Sequence, residues 1–221
     1  MKTFDLSLYL VLDPGLCAGT GMIETARAAV AGGATMVQLR DKTGGTDRLV
    51  ETGRDLMDAL AGTPARVIVN DDVTAAITIG AHGLHIGQGD GAADEARARI
   101  GPAMILGLSV ERPDLAAGVD PAVVDYIGAG PVFATPTKPG HHAPIGFDGL
   151  AGIVRASPVP AVAIGGLKAP HVGDVLAAGA NGLAVVSAIC GESDPRSAAH
   201  AIAVRIAASR RSIPRLAGAT V

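Results

Sequence analysis

Short aliphatic runs alternate along the chain with longer Ala-rich stretches, and the alternation repeats eight times. Runs at 8–12, 36–40, 67–70, 83–86, 104–108, 125–128, 161–164 and 182–186 predict strands. Between them, 22–31, 47–61, 73–79, 93–100, 150–156, 170–178 and 194–209 read as helices. Residues 115–117 make a poor helix, so the fifth connection is the weakest part of the pattern. The strand runs are continuously apolar, as in parallel strands covered on both faces. Pro170 suits a first helical turn, where its missing N–H is not needed. Gly32, Gly80 and Gly179 each follow an Ala-rich stretch, as left-handed helix-ending residues would. "AGGAT", "IGAHG" and "AAGAN" thus look like three versions of one helix-to-strand turn.

Eight alternating β and α units predict an α/β fold, the closed TIM (β/α)8 barrel. An open doubly wound sheet competes, but it usually carries a Gly-rich dinucleotide fingerprint after its first strand. Here that strand runs into "LDPGLCAG", which lacks the spacing. No linker rich in Pro, Ser or charge divides the 221 residues, so one barrel domain is expected over 1–211. Residues 212–221 are expected to form a flexible tail.

Composition narrows the core and the partners. Apolar residues make up 48 %, aromatics only 2 %, and Trp is absent, so Ala, Val, Ile and Leu must fill the interior. Net charge is −3 without a block of like charges, which argues against nucleic acid as a partner. Mean hydropathy is positive, yet no apolar run approaches the roughly 20 residues of a spanning helix, so no membrane is expected. The N-terminus lacks a secretory cleavage pattern. Cys17 and Cys190 form no CxxC pair; structural disulfides are not expected, and a cytoplasmic setting is the default. They follow the first and last strands, neighbours in a closed barrel, and read as inert.

Polar residues concentrate where strands end. Gln38, Arg40 and Lys42 sit at strand 2 and just beyond, Asn70 and Asp71 close strand 3, and Asp90 follows strand 4. Ser109 follows strand 5, Thr135, Thr137 and Lys138 follow strand 6, Gly165 and Gly166 strand 7, and Ser187 strand 8. In a barrel these ends meet at one mouth, where active sites are built. Within strand 2, side chains two apart share a face, so Gln38 and Arg40 enter the lumen while Val37 and Leu39 face the helices. An unpartnered Arg there would be costly. A bound diphosphate would resolve this through bidentate contacts, and a structural Arg–carboxylate pair is the plainer alternative.

Asp71 and Asp90, at the ends of neighbouring strands, form a candidate Mg²⁺ site, since Mg²⁺ is usually held by one or two carboxylates plus phosphates and water. An Asp-Asp pair alone often starts a helix, and Asp72 reads as the cap of the 73–79 helix. Thr135-Pro136-Thr137-Lys138-Pro139-Gly140 cannot be helix or central strand. Its hydroxyls and ammonium could hold phosphate and close over a ligand, or it is an exposed turn. Gly165-Gly166 and Val186-Ser187 fall where barrels often bind phosphate. His82 and His85 mimic an HxxH pair without the carboxylate or Cys cluster of a transition-metal site, and His141 and His142 lie in the loop. His85 and Gln88 line the pocket or belong to a hydrogen-bonded core; the sequence allows both.

Six segments in order, "GGATMVQLRDK", "VIVNDDVTAAITIGAHGLHIGQGD", "ILGLS", "VDYIGAGPVFATPTKPG", "VAIGGL" and "AAGANGLAVVSAI", resemble the thiamine phosphate synthase family. The resemblance runs from about residue 8 to 195. It implies an enzyme, a Mg²⁺-dependent transferase with two phosphorylated small-molecule substrates. A hydroxymethylpyrimidine diphosphate joins a phosphorylated hydroxyethyl-methylthiazole, giving thiamine phosphate and pyrophosphate. It implies that Gln38, Arg40, Lys42, Asn70, Ser109 and Lys138 hold the pyrimidine diphosphate, with Leu39 and Asp41 in the same stretch. Asp71 and Asp90 match Mg²⁺ ligands, while Thr135, Pro136, Thr137, Gly166, Val186 and Ser187 match the thiazole-phosphate side. Arg40, Lys42, Ser109 and Lys138 are the implied catalytic groups, and a homodimer is implied as well.

The residues agree with that chemistry. Pyrophosphate leaves readily when its developing charge is neutralised, which Mg²⁺, Arg40, Lys42 and Lys138 would do. The pyrimidine methylene becomes a benzylic-type cation, the thiazole nitrogen attacks it, and no protein nucleophile is needed. Departures are small: Asp41 replaces a common Glu, Val110 follows Ser109 where Thr or Cys is usual, and the C-terminal "RRSIPRLAGATV" has no counterpart. Rivals are a thiazole tautomerase of the same barrel family and a non-catalytic thiamine-ligand binding protein. The first uses a His near the end of strand 6, where Pro131 follows Gly130 here. The second would tolerate loss of Asp71 or Asp90, and both are present.

Overall fold

Each aliphatic run becomes a strand and each Ala-rich stretch a helix in the computed structural model, which describes residues 2–135 and 143–212. The strands are β1 (Leu8–Val11), β2 (Met36–Leu39), β3 (Arg66–Asn70), β4 (Gly83–Ile86), β5 (Ile105–Val110), β6 (Tyr126–Ala129), β7 (Ala161–Ile164) and β8 (Gly182–Val185). The helices are α1 (Met22–Ala31), α2 (Gly45–Ala59), α3 (Val73–Ile79), α4 (Ala93–Ile100), α5 (Pro113–Ala117), α6 (Gly146–Ala156), α7 (Val172–Ala177) and α8 (Pro195–Ser212). A 3-10 turn over Ala169–His171 leads into α7 and contains Pro170. The strands pair in sequence order, all parallel, and β8 returns to β1 to close the barrel.

Closure divides the strand residues by parity. Leu8, Leu10, Val37, Leu39, Val67 and Val69 join the large apolar layer between sheet and helices. Tyr9, Val11, Met36, Ile68 and Tyr126 fill the lumen instead. With few aromatics available, close helix packing relies on small residues. Gly32 illustrates this and corrects the expectation of a left-handed cap: its φ is −85°, and an added Cβ would lie 2.8 Å from Ala199 Cβ and press on the backbone of α8. Gly80 does adopt the left-handed conformation, at φ 64° and ψ 40°. At Gly179 φ is 92° and Ala178 is the capping residue.

Several elements extend beyond their expected limits. β5 continues to Val110 because Ser109 and Val110 stay in register with Gly128 and Ala129, so Ser109 lies within the strand rather than after it. α5 is a genuine five-residue helix opened by Pro113. α6 starts at Gly146, four residues before the expected point, because Gly146 and Gly149 disguise the beginning of its apolar face. α8 ends at Ser212, and 213–221 lie outside the described residues. At the base of the barrel, Asp125 accepts hydrogen bonds from Lys2, Arg97 and the Leu106 backbone N–H, each at 2.7 Å. Among the described residues, no helix is long and apolar enough to cross a membrane.

Candidate active site

The C-terminal strand ends surround a cavity of about 390 Å³. Gln38, Arg40, Lys42, Asn70, Asp90 and Ser109 line it from β2 to β5. Thr135, Gly166, Val186 and Ser187 line it from the β6 to β8 side. Pro136, Thr137 and Lys138, with His141 and His142, lie outside the described residues.

Parity sends Gln38 inward, where its Nε2 donates to the Tyr9 hydroxyl at 2.9 Å. Arg40 lies just past β2 rather than in it, with Asp13 as its carboxylate neighbour at 3.8 Å. That separation is too long for a hydrogen bond, so Asp13 compensates the guanidinium charge without fixing its donors. Two members of the same stretch do not face the cavity. Leu39 is fully buried in the outer apolar layer, as strand alternation demands. The Asp41 carboxylate turns back to accept from the backbone N–H groups of Thr43 and Gly44 and from the Thr43 hydroxyl. Those bonds, against a desolvation that works the other way, hold its carboxyl below the usual range and make Asp41 a turn-forming residue.

Asp71 is not among the residues that line the cavity but is bonded to two that are, Lys42 and Asn70. Its φ of 63° makes it the only non-glycine residue in the left-handed region among the described residues. Its carboxylate accepts from the Lys42 ammonium and from Asn70 Nδ2 at 2.6 Å. Burial pushes the Asp71 carboxyl up, Lys42 opposes this, and the adjacent Asp90 carboxylate reinforces it. Asp90 is held in turn by the Gly87 backbone N–H at 2.8 Å. Asp72 caps α3, accepting from Ala75 N–H at 2.8 Å, so the two neighbouring aspartates divide local and rim duties. Two carboxylates crowded at a partly dry rim favour a cation, and the oxygen-only donor set suits a hard one such as Mg²⁺. Among the described residues, no group of three or more His, Cys, Asp or Glu is placed to hold a metal ion of any kind, so a cation here would rest on Asp71 and Asp90 with the remaining ligands from substrate and water. His82 Nδ1 is instead occupied by the Val67 backbone N–H at 3.0 Å.

On the far side, Gly165 and Gly166 have φ of 104° and 63°. An added Cβ at Gly166 would come within 2.8 Å of Phe133 Cβ, so glycine there lets the segments after β6 and β7 approach each other. Cys17 and Cys190 are free and buried. The Cys17 thiol is lowered to about 7, chiefly by its hydrogen bond with Cys190, whose own thiol is raised.

Sequence reading missed Tyr9, Asp13, Tyr126 and Glu111, and left His85 and Gln88 undecided. Tyr9, Asp13, His85, Gln88 and Glu111 line the cavity. Both roles offered for His85 hold together: it faces the cavity, Nδ1 meets Tyr126 Oη at 3.0 Å, and Nε2 meets Ser109 Oγ at 3.0 Å. Tyr9 was detectable, because alternation in "LYLVL" puts it on the face opposite Leu8, Leu10 and Leu12.

Known proteins resemble this chain in sequence and in fold. The sequence model of the family described as thiamine monophosphate synthase matches residues 8–189. The thiamine-phosphate synthase of Xanthobacter autotrophicus is 47 % identical over 209 residues, covering 95 % of this chain and 99 % of that protein. That of Azorhizobium caulinodans is 45 % identical, covering 94 % and 98 %. The solved structure of thiamine phosphate pyrophosphorylase from Pyrococcus furiosus superposes with a TM-score of 0.84 at 33 % identity, covering 92 % of this chain and 96 % of that one.

Proposed function

We propose, from the premise that this chain belongs to the thiamine monophosphate synthase family, that its rim carries out the synthase condensation with the residues named above. The chain is a thiamine-phosphate synthase, a transferase of thiamine biosynthesis. Its proposed substrates are the hydroxymethylpyrimidine diphosphate and the hydroxyethyl-methylthiazole phosphate. The observation that carries this reading is convergence: Arg40, Lys42, Asn70, Asp90 and Ser109, from four different strand ends, line one cavity.

Bond breaking at the pyrimidine methylene transfers an electron pair to the departing pyrophosphate. Arg40 and Lys42 stand on one flank of the cavity, where guanidinium and ammonium charges stabilise that developing anion. Lys138, which follows β6 in sequence and lies outside the described residues, is assigned the same task from the family resemblance. Asn70 and Ser109 offer neutral polar groups that orient the pyrimidine diphosphate, and Gly166, Val186 and Ser187 face the thiazole phosphate from β7 and β8. The thiazole nitrogen supplies the new bond to the methylene carbon. Holding both substrates in one cavity replaces a bimolecular encounter with a positioned one.

Asp71 and Asp90 are the proposed Mg²⁺ holders; bound Mg²⁺ would supply positive charge to the leaving group. The mutual proximity of the two carboxylates supports this, because each raises the other's need for a cation. A homodimer belongs to the same proposal, as does a cytoplasmic setting, which the two free cysteines support.

The test is pyrophosphate release by the purified protein with both substrates and Mg²⁺, omitting each component in turn. Release should require all three, and Asp71→Ala should abolish it at ordinary Mg²⁺. Full turnover in excess chelator would defeat the metal assignment, and conversion of the thiazole without the pyrimidine would defeat the synthase assignment.

A further inference from the structure

Five side chains from five strands are joined by four hydrogen bonds across the lumen. Gln38 Nε2 lies 2.9 Å from Tyr9 Oη, which lies 2.9 Å from Tyr126 Oη. Tyr126 Oη lies 3.0 Å from His85 Nδ1, and His85 Nε2 lies 3.0 Å from Ser109 Oγ. Tyr9 and Tyr126 are the only tyrosines of the chain, and both are fully buried. Gln38 and His85 are buried as well. The space for this chain is provided on purpose-shaped backbone. A Cβ at Gly107 would collide with the Tyr126 ring and His85 Nδ1, and one at Gly128 would sit 3.2 Å from His85 Cε1.

The direction of such a chain is a single choice. Each phenol has one hydrogen, and burial pushes both phenols far above their ordinary pKa, so neither loses it. Gln38 presents its NH₂ to Tyr9, and an amide nitrogen only donates. Among these side chains Tyr126 is then the acceptor open to the Tyr9 hydrogen, and His85 Nδ1 the acceptor open to that of Tyr126. A bare Nδ1 leaves the hydrogen of the neutral ring on Nε2, where it goes to Ser109 Oγ. Ser109 has accepted, so its own hydrogen is directed to the cavity that it lines. An imidazolium would reverse the Tyr9–Tyr126 bond and leave the Tyr9 hydrogen without an acceptor among these five side chains.

We propose that Tyr9, Tyr126 and His85 are positioning residues that lock His85 as the neutral Nε2–H tautomer and present the Ser109 hydroxyl to the substrate as a donor. The part concerning substrate rests on the synthase reading; the tautomer does not. Gln38 on β2 and Ser109 on β5 are thereby coupled: turning over the Gln38 amide would reverse every bond and convert Ser109 from donor to acceptor toward the ligand.

The decisive experiment is ¹⁵N NMR of histidine-labelled protein without substrates, with the His85 signals identified by their loss in His85→Gln. A protonated Nε2 and bare Nδ1 are expected; a protonated Nδ1 overturns the proposal. Tyr126→Phe, which keeps the ring, should release the tautomer lock and raise KM for the pyrimidine diphosphate about tenfold, with kcat within about twofold. An unchanged tautomer in that variant overturns the proposal. In a Ser109→Ala background the same substitution should add almost nothing, because both changes remove one interaction. Full additivity would overturn the route through Ser109. Absence of wild-type turnover would count against the synthase reading, while the NMR result still decides the polarity of the chain.

Discussion

Gly107→Ala puts the lumen packing to a quantitative test. Gly107 is a β5 residue with no left-handed backbone requirement, so alanine is conformationally allowed and only space opposes it. The added methyl collides with Tyr126 Cζ, Tyr126 Oη and His85 Nδ1. Inserting a methyl into a well-packed core costs roughly 1–3 kcal/mol. Separating Tyr126 from His85 removes a hydrogen bond worth about 0.5–1.5 kcal/mol net. Reduced unfolded-state entropy returns about 0.4–1 kcal/mol. The expected net loss is about 2–3 kcal/mol, which for a domain of this size lowers Tm by roughly 4–12 °C. Gly128→Ala is the internal control, because its methyl meets only the edge of His85, at 3.2 Å and 3.5 Å, and the ring can shift by a few tenths of an ångström. Its cost should stay below about 1 kcal/mol. Urea unfolding of both variants, at unchanged m-value, measures the difference. Equal stability of Gly107→Ala and wild type, or a larger loss in Gly128→Ala, would refute the packing argument.

Three further outcomes follow from the rim and the base. Burial, opposed by Lys42 and reinforced by Asp90, raises the Asp71 carboxyl, so its favourable contribution exists below the unfolded value near ~3.9 and is lost as pH rises through the higher folded one. Asp71→Asn should therefore be more stable than wild type at pH 7, with the advantage vanishing toward pH 3; a pH-independent difference in thermal unfolding would contradict this. Asp125→Ala removes the acceptor shared by Lys2, Arg97 and Leu106 N–H at the barrel base, and should cost about 3 kcal/mol in denaturant unfolding with kcat intact. A fall in kcat at full occupancy would show that the two barrel faces are not independent. Arg40→Lys keeps the charge but loses the forked donor, so pyrophosphate release should drop about tenfold or more while stability changes by less than about 0.5 kcal/mol.

The barrel was legible because parallel strands covered on both faces leave unbroken aliphatic runs, and eight of them leave little choice of closure. Rim residues were legible for a related reason: polarity at the end of such a run has no packing explanation. The same rule failed inside the runs. Leu39 and Asp41 were drawn into the candidate site by sequence proximity to Arg40, although strand alternation sends Leu39 outward and turn geometry occupies Asp41. Tyr9 and Tyr126 escape a reading of C-terminal strand ends because they lie earlier in β1 and β6, and the same position within β4 leaves His85 undecided between pocket and core. Ser109 was placed beyond β5 because a polar residue was taken as the end of the run, whereas the β5–β6 ladder continues past it. Parity relative to the outward-facing leucines carries the missing information, and it needs only the knowledge that the sheet is closed.

Parity also explains why the lumen can contain so many polar groups beneath a charged mouth. Aliphatic side chains such as Met36, Ile68 and Ile105 share the interior with the two tyrosines. An ionised group at that depth would have to surrender its hydration without a mobile counter-ion. In the polarity proposed above the side chains joined there are neutral and each hydrogen passed along them has an acceptor, so the layer is polar without net charge. Formal charge begins only at the rim, with Arg40, Lys42, Asp71 and Asp90, where water, opposite charges and arriving ligands share the compensation. Even there, burial already holds the Asp71 carboxyl above its ordinary range. A charged residue one layer deeper would face that penalty without Lys42 to relieve it. The physical boundary between tyrosine hydroxyls and rim carboxylates therefore coincides with the depth at which ionisation becomes unfavourable, and substrate charge is directed to the mouth while neutral recognition is left to the floor.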